Sequence, residues 1–424
     1  MTQSPVNQAD HWSLFHRIAF RFAAIFLSLY ILPFPFDKVP GVHVLAQGYS
    51  KAWHAIAVWV GNHVLNLPQP ITHFNDGGDK MYDYVFLLIV TVLALFTTAV
   101  WSFLDRRRLS YPVGYYWVQV WVRYYLGSVF MFYGMIKVFH LQMPSPTLFE
   151  LVEPFGNKTP MGLAWSYVGF SPVFSAFVGM AEVIAGILLF FRRTMTLGAL
   201  IGGVVMLNVV VMNLTFHVPV KLYSSVLFFM TIFLVLPDVE RLTRMLVLNK
   251  PTEAIKRRQF LKTRWLRNTA IVVKILFITT VVIGNVAGCF QRTKTSGDGR
   301  ERSPLYGIYD VTQFIVNGDT LAPLTTDSIR WRQLITDFPD HVHVKLMNDS
   351  IAYYPVVWDT LARSLTVTAW PSTKQSILQF EKASDLLRLH GTMGLDSVEI
   401  KLRRRDLESF PLIGTRFRWI QEYP

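Results

Sequence analysis

Two charged residues inside apolar segments are the part of this sequence best suited to chemistry. Arg123 lies within the apolar run 115–139, and Glu182 lies within the next run, which ends at Arg192-Arg193. A helix rises about 1.5 Å per residue, so Arg123 is ~12 Å and Glu182 ~13 Å from the basic ends of their runs. Burying either charge in hydrocarbon is costly unless it is paired. The matching depths predict an Arg123–Glu182 ion pair, which either locks two helices together or serves a quinone or proton site.

A second group of polar residues is predicted near the opposite membrane face. Its members are Lys137, His140, Asn208, Asn213, His217 and Lys221. The lysines could simply extend to the membrane interface. Alternatively, the group could form a cationic mouth that holds an anion or a quinone head group. Arg123 and Glu182 are therefore the candidate catalytic residues, and this second group holds the candidate cofactor-binding residues.

Two histidines and one cysteine complete the candidates. His341 and His343 are two apart on a predicted strand, so they share one face, which the alternation predicts to face solvent. Two ligands do not make a metal site, and we predict none. Cys289 is the only cysteine, which excludes an intrachain disulfide. Residues 286–289 look like the lipobox of a lipoprotein signal, and the simpler interpretation is a free thiol packed at a helix end.

The composition indicates a membrane protein with a soluble part. The chain has 424 residues, of which 52% are hydrophobic and only 16% charged, and its mean hydropathy is +0.33. These values are too apolar for one ordinary soluble domain. The net charge of +13 comes mostly from residues between apolar segments, which is a topology signal rather than a nucleic-acid patch.

Seven apolar runs predict seven membrane spans. They are 17–34, 84–103, 115–139, the run that closes at Arg192-Arg193, 197–216, 220–236 and 269–290. The loop 37–83 contains an amphipathic piece suited to the membrane surface. Placing the amino terminus in the cytoplasm puts the three basic clusters inside and the carboxyl terminus outside, in the plasma (inner) membrane. The third run is strongly aromatic, with Tyr115-Tyr116 and Tyr124-Tyr125, which we interpret as packing and interface residues.

After residue 291 the pattern changes to short stretches of period two. In 396–403, for example, Val398, Ile400 and Leu402 face one way and charged residues face the other. Similar pieces at 307–316, 329–335, 341–347, 351–358, 361–370 and 415–423 predict a small antiparallel barrel or sandwich of seven to ten strands. The predicted divisions are 1–114, a bundle at 115–237, a basic loop at 238–267, a span at 268–290 and a β-rich domain at 291–424.

The region RYYLGSVFMFYGMIKVF followed by FVGMAEVIAGILLFFRRTMTLGALIGG resembles the DoxX family of small four-span membrane proteins. The likeness covers 115–236 and rests on small residues, Glu182, Gly186 and the Arg192-Arg193 exit. It implies a four-helix bundle, and relatives include a thiosulfate:quinone oxidoreductase subunit. In broad architecture the chain also looks like the membrane carboxylases that use reduced vitamin K.

Two classes of function remain open from the sequence. In the first, the chain is a quinone-interacting subunit of a membrane oxidoreductase system, with a redox partner protein. In the second, it is a non-enzymatic binding or assembly protein whose outer β domain holds a ligand or partner. A carboxylase-like membrane enzyme is a third hypothesis, from architecture alone.

Overall fold

The computed structural model describes residues 11–38, 41–74, 78–253, 263–368, 375–415 and 419–420. They form two compact units. The helical unit combines 1–139 with 173–290, and the barrel unit combines 140–172 with 291–424. The polar amino-terminal tail and most of the strand predicted at 415–423 lie outside the described residues.

Helices dominate the first two thirds of the chain. They are α1 (Leu14–Ile31), α2 (His43–His63), α3 (Met81–Leu104), α4 (Pro112–Val138), α5 (Leu148–Val152), α6 (Pro160–Gly169), α7 (Pro172–Phe190), α8 (Met195–Thr215), α9 (Lys221–Val235), α10 (Val239–Leu246), α11 (Arg264–Arg292) and, after the strands, α12 (Pro411–Gly414). Prolines at the first position of α4 and α6 help to start them, because proline there sacrifices no helical hydrogen bond.

Six helical stretches among the described residues are long and apolar enough to cross a membrane, so this is a helical membrane protein. They are α1, α3, α7, α8, α9 with its continuation to Leu246, and α11 with its continuation to Gly299. Helix α4, the third of the seven predicted spans, has 27 residues but does not qualify. Its tyrosines, together with Gln119 and Arg123, lower its mean hydropathy.

Helices α4 and α7 pack with their backbones in close contact. A methyl group added at Gly134 would lie 2.7 Å from the carbonyl oxygen of Gly179, and one added at Gly179 would lie 2.6 Å from that of Gly134. Nearer the other end, a methyl group at Gly186 would lie 2.9 Å from the carbonyl oxygen of Gly127. Small residues allow such approach in membrane helices, and these contacts fix the antiparallel register of the pair.

The described residues of the barrel unit form nine antiparallel strands. They are β1 (Gly307–Val316), β2 (Asp319–Thr320), β3 (Trp331–Thr336), β4 (His341–Leu346), β5 (Ile351–Asp359), β6 (Ser364–Thr368), β7 (Gln375–Ala383), β8 (Leu386–Met393) and β9 (Asp396–Arg404). Strand β1 pairs with both β3 and β9, so β1 and β3–β9 close into an eight-stranded barrel, while β2 only extends β1. The prediction of a small antiparallel barrel or sandwich is confirmed, and the pairing of β1 with β9 makes it a barrel.

The barrel interior is filled by the alternating apolar residues of its strands. Phe314, Leu334, Val344, Leu378 and Ile400 are all buried in one cluster. Strands β7 and β8 were not among the strands predicted from the sequence.

The connector 140–172, which carries α5 and α6, packs against the barrel. Leu148 of α5 lies in an apolar cluster with Ile308 and Ile335, and its backbone N–H donates to Oδ2 of Asp337 at 2.8 Å. The other carboxylate oxygen of Asp337 pairs with Arg300 at 2.7 Å. The sequence had assigned this connector to the bundle 115–237, whereas its contacts group it with the barrel.

Candidate functional site

Glu182 forms a buried ion pair with Lys137, and the predicted Arg123–Glu182 pair is wrong. Nζ of Lys137, on α4, lies 2.7 Å from Oε1 and 2.8 Å from Oε2 of Glu182, on α7. Lys137 is 6% exposed and Glu182 1%. Ser175 Oγ donates to the backbone carbonyl of Lys137 at 2.9 Å, which ties the two helices together beside the pair.

The register of α4 against α7 explains why Arg123 does not reach Glu182. Gly134 faces Gly179 in this antiparallel pair, so Glu182 lies level with Met131, six residues or about 9 Å along the axis from Lys137. Arg123 lies eight residues, or about 12 Å, on the other side of that level. Helical side chains lean toward the amino-terminal end of their helix, so Lys137 and Glu182 lean toward each other, whereas Arg123 leans away from Glu182. Its guanidinium carbon instead lies 5.1 Å from the centre of the Tyr124 ring. The sequence argument failed because it aligned the ends of two helices that have 27 and 19 residues.

The other candidate cofactor-binding residues of the helical unit do not gather into one mouth. Asn208 and His217 are exposed. Asn213 is buried and donates from Nδ2 to Ser224 Oγ at 3.0 Å, which joins α8 to α9. Lys221 pairs with Asp79 at 3.1 Å. Each polar group therefore has a separate local environment.

His140 belongs to the barrel unit, where it binds Asp298. Nδ1 of His140 lies 2.7 Å from Oδ2 of Asp298, and Ser145 donates to the same carboxylate from its backbone N–H at 3.0 Å and its hydroxyl at 3.1 Å. Burial raises the pKa of Asp298, but the hydrogen bonds from His140 and Ser145 outweigh it and hold the pKa below its usual value. This cluster anchors the connector to the segment that precedes the barrel.

Tyrosines line two adjoining cavities in the helical unit, of about 440 and 610 Å³. The residues that line both are Tyr30, Leu32, Pro33, Tyr125, Tyr133 and Tyr223. The hydroxyls of Tyr125 and Tyr223 lie 3.4 Å apart. No hydrogen bond of the Tyr30 or Tyr133 hydroxyl is found within the described part of the chain. The walls also carry carboxylates, of Asp79 and Asp83 in the first cavity and of Asp37 in the second. The volumes are those of small-molecule sites, and the walls mix apolar and polar groups.

Tyr133 connects these cavities to the buried ion pair. Its ring lines both cavities, and the ring centre lies 5.8 Å from Nζ of Lys137. A cation over an aromatic face is stabilised by the ring quadrupole. The ion pair therefore lies next to one of the four phenols that line both cavities.

Asp79 holds the rim of the first cavity in place. Its carboxylate accepts from the backbone N–H of Lys221 at 2.9 Å and of Leu222 at 3.1 Å, at the first turn of α9. A carboxylate at a helix start satisfies free N–H groups and complements the helix dipole. Asp79 also lines that cavity, together with Tyr30 of α1 and Tyr223 of α9.

Sequence reasoning missed the tyrosine cavities. Tyr125 was interpreted as a packing residue of an aromatic helix, and Tyr30, Tyr133 and Tyr223 were not singled out. The available signal was the recurrence of tyrosine, rather than phenylalanine, inside apolar runs. A buried phenol hydroxyl needs a hydrogen-bond partner, whereas a phenylalanine ring has no polar group to satisfy.

The two barrel histidines lie outside the barrel core, but the solvent-facing position predicted for them is not what the structure shows, since both are only partly exposed. The His343 ring is 4.8 Å from that of Phe149 of α5, so this face is partly covered. Burial lowers the pKa of His343, and the neighbouring His341 lowers it further. Within the described residues there is no group of three or more His, Cys, Asp or Glu placed to hold a metal ion. Cys289 is buried near the end of α11.

The chain is 30% identical over 125 residues to the uncharacterized protein YwoB of Bacillus subtilis (strain 168). That stretch covers 27% of this chain and 73% of YwoB. The chain belongs to the family of YwoB. YwoB is itself uncharacterized, so the match shows that the two proteins are related but indicates no activity for this chain. No family model matches the chain, and no solved structure matches it.

Proposed function

We propose that the helical unit binds a quinone in the tyrosine-lined cavities, as a subunit of a membrane oxidoreductase system. The observation that carries the proposal is the set of four phenols, Tyr30, Tyr125, Tyr133 and Tyr223, that lines both cavities. Quinone carbonyl oxygens accept hydrogen bonds, and a phenol hydroxyl is a donor that remains neutral in an apolar site. The resemblance to the DoxX family supports the same conclusion.

The shape of the second cavity suits a ligand with a ring and a tail. Its far wall is formed by α11, at Thr280, Val281, Gly284 and Asn285. A methyl group added at Gly284 would meet no atom within 4 Å, so this wall has open space beside it. An isoprenoid chain could leave along α11 while the head group stays between the tyrosines.

The Lys137–Glu182 pair would hold a proton near the ring. A quinone supplies two-electron chemistry that takes up two protons on reduction, and a partner protein would supply the electrons. Lys137 and Glu182 form an ion pair that is buried in the helical unit, which is the usual setting for a proton-handling group in a membrane protein. Tyr133 lies between this pair and the ligand space.

Binding of a short-chain quinone to the full chain tests the proposal. Titration in detergent, followed by native mass spectrometry, should show one bound quinone. Removing one hydroxyl, in Tyr30→Phe or Tyr223→Phe, should weaken binding about 5- to 10-fold, the usual effect of one neutral hydrogen bond. The matched control is Tyr84→Phe, at an exposed tyrosine of α3. Equal affinities for all three variants would contradict the proposal.

We also propose that the amino terminus faces the cytoplasm of a plasma (inner) membrane. Basic residues near four helix ends gather at one face: Arg17 Nη1 donates to the carbonyl of Arg108 at 3.1 Å, and Arg192 lies 5.0 Å from the Tyr116 ring. These contacts join the starts of α1 and α4 to the ends of α3 and α7. Alkaline phosphatase fused after residue 320 should be active, whereas fusion after Arg193 should be inactive.

A second function has one observation in its favour. Val357 is 72% exposed and Ile377 58%, and both pair with Thr366, so they form one row on the outside of the barrel. Exposed apolar rows often mark protein contacts. In that case the chain is a membrane-anchored binding protein, and Glu182→Gln would reduce stability without altering any turnover.

A further inference from the structure

A groove between α4 and α11 carries three cations and no acid among its lining residues. Arg123 comes from α4, and Arg267 and Lys274 come from α11. The groove has a volume of about 500 Å³, and most of its wall is apolar. Its main apolar members are Trp117, Val120, Trp121, Ile271, Val273 and Phe277.

Arg123 is the member whose position is hardest to explain by packing alone. It is 6% exposed, and its Nε has no hydrogen-bond partner in the part of the chain that the structure describes. No carboxylate of the described residues forms an ion pair with it. A buried guanidinium without a counter-ion is costly, and the cost falls sharply when an anion is bound beside it.

The two cations of α11 lie on the same side of their helix. Arg267 and Lys274 are seven residues apart, which is two turns or about 10 Å. Lys274 is half-buried, with Nζ 4.3 Å from the centre of the Phe191 ring. Phe191 follows the last residue of α7, so this end of the groove lies where a membrane-spanning helix finishes.

We propose that this groove binds one anionic phospholipid. The phosphate would lie between Arg123 and Lys274, with Arg267 further along α11. The acyl chains would cover the aromatic and aliphatic wall that ends at Phe277, whose ring is 5.4 Å from that of Tyr124. Basic pockets between membrane helices recognise anionic head groups, and guanidinium binds phosphate oxygens through paired donors.

The choice of a lipid rather than a soluble anion follows from the shape of the site. A free phosphate would contact the cations alone and leave the apolar wall uncovered. An anionic phospholipid matches both parts, since each cation near the head group strengthens binding about fivefold and the chains bury the rest of the groove.

The test compares two lipids of identical chains on the full protein. Native mass spectrometry in detergent should give tighter binding of phosphatidylglycerol than of phosphatidylcholine. Removing two charges in Arg123→Gln/Lys274→Gln should weaken phosphatidylglycerol binding roughly 25-fold, or about fivefold per charge. The matched control, Arg106→Gln/Arg107→Gln, removes two exposed charges after α3 and should leave the affinity unchanged.

Several results would overturn the proposal. They are equal affinity for the two lipids, equal loss in the two double variants, or displacement of the lipid by an equal concentration of inorganic phosphate. The single variant Lys274→Gln separates a loss of binding from a folding defect, because this half-buried lysine can be changed without leaving a cavity in the bundle. It should lower the affinity about fivefold while the melting temperature stays that of the wild type.

Discussion

Nζ of Lys137 lies within 2.8 Å of both carboxylate oxygens of Glu182, and both side chains are almost fully buried. A pair of this kind costs a great deal to desolvate, so it is poor at stabilising a fold but very sensitive to loss of one partner. Its position beside the tyrosine cavities is what gives it a proposed role beyond locking α4 to α7.

The first prediction concerns the loss of that pair. Glu182→Gln should destabilise the protein by about 3–5 kcal/mol, because it leaves the Lys137 ammonium without a counter-charge. The double change Glu182→Leu with Lys137→Met should recover most of the loss. Thermal unfolding in detergent measures both. The control is Glu240→Gln, in the exposed Arg244 pair, which should cost less than about 0.5 kcal/mol; a similar cost at both sites would refute the account.

The second prediction concerns the close approach of α4 and α7. Gly179→Ala should destabilise the protein by about 1–3 kcal/mol, because the added methyl group meets the Gly134 carbonyl oxygen at 2.6 Å. Gly288→Ala in α11 should have the opposite sign, a gain of up to about 1 kcal/mol, since nothing lies within 4 Å there. If unfolding experiments show the same sign for both changes, the packing is not as described.

The third prediction separates a helix cap from an ion pair. Asp79→Ala removes two hydrogen bonds to the start of α9 and the contact with Lys221 Nζ, and should cost about 1–2 kcal/mol. Lys221→Gln removes only the ion pair, whose lysine is partly exposed, and should cost well under about 1 kcal/mol. Chemical denaturation of the two variants compares them, and an equal loss would mean that the charge pair dominates.

The fourth prediction is a pH dependence in the barrel unit. Because its hydrogen bonds hold the pKa of Asp298 below the usual value, its contribution to stability is fully present above the unfolded pKa and is lost as pH falls through the folded pKa. Limited proteolysis of the connector should therefore accelerate below about pH 4.

The control for this pH effect is a second carboxylate. Asp298→Asn should make cleavage of the connector fast at all pH values and remove its acid dependence. Asp319→Asn, at the exposed strand β2, should keep the wild-type profile. An unchanged profile in Asp298→Asn would assign the acid effect to another group.

The sequence alone predicted the barrel well where side chains alternate. Strand β9 was predicted to within one residue, because its buried and exposed residues alternate regularly. Strand β1 was predicted with its observed bounds although its burial is less regular, with three buried residues in succession at its start. Strand β7 was missed because two apolar residues follow each other in it, Ile377 on the outer face and Leu378 in the core. The sequence therefore does not alternate between polar and apolar residues there, although the strand itself is regular. Local periodicity cannot register an apolar residue that remains on the surface.

The candidate site was harder to predict because it depends on helix register. Depth along single helices suggested Arg123 as the partner of Glu182. The true partner depends on the glycines, whose close contacts set the register of α4 against α7. Counting residues from the helix ends takes no account of those contacts. The membrane class needed no such detail, since composition and apolar run lengths determine it.

The anchoring of the connector also constrains the order of events during synthesis. Ser145 binds Asp298, which is encoded 153 residues later. At about 5–20 residues per second the ribosome needs roughly 8–30 s to bridge that interval. During that time the connector, with Leu148 and Phe149, has been synthesised but its barrel partners have not. A chaperone that shields short apolar helices should therefore bind the connector in this interval.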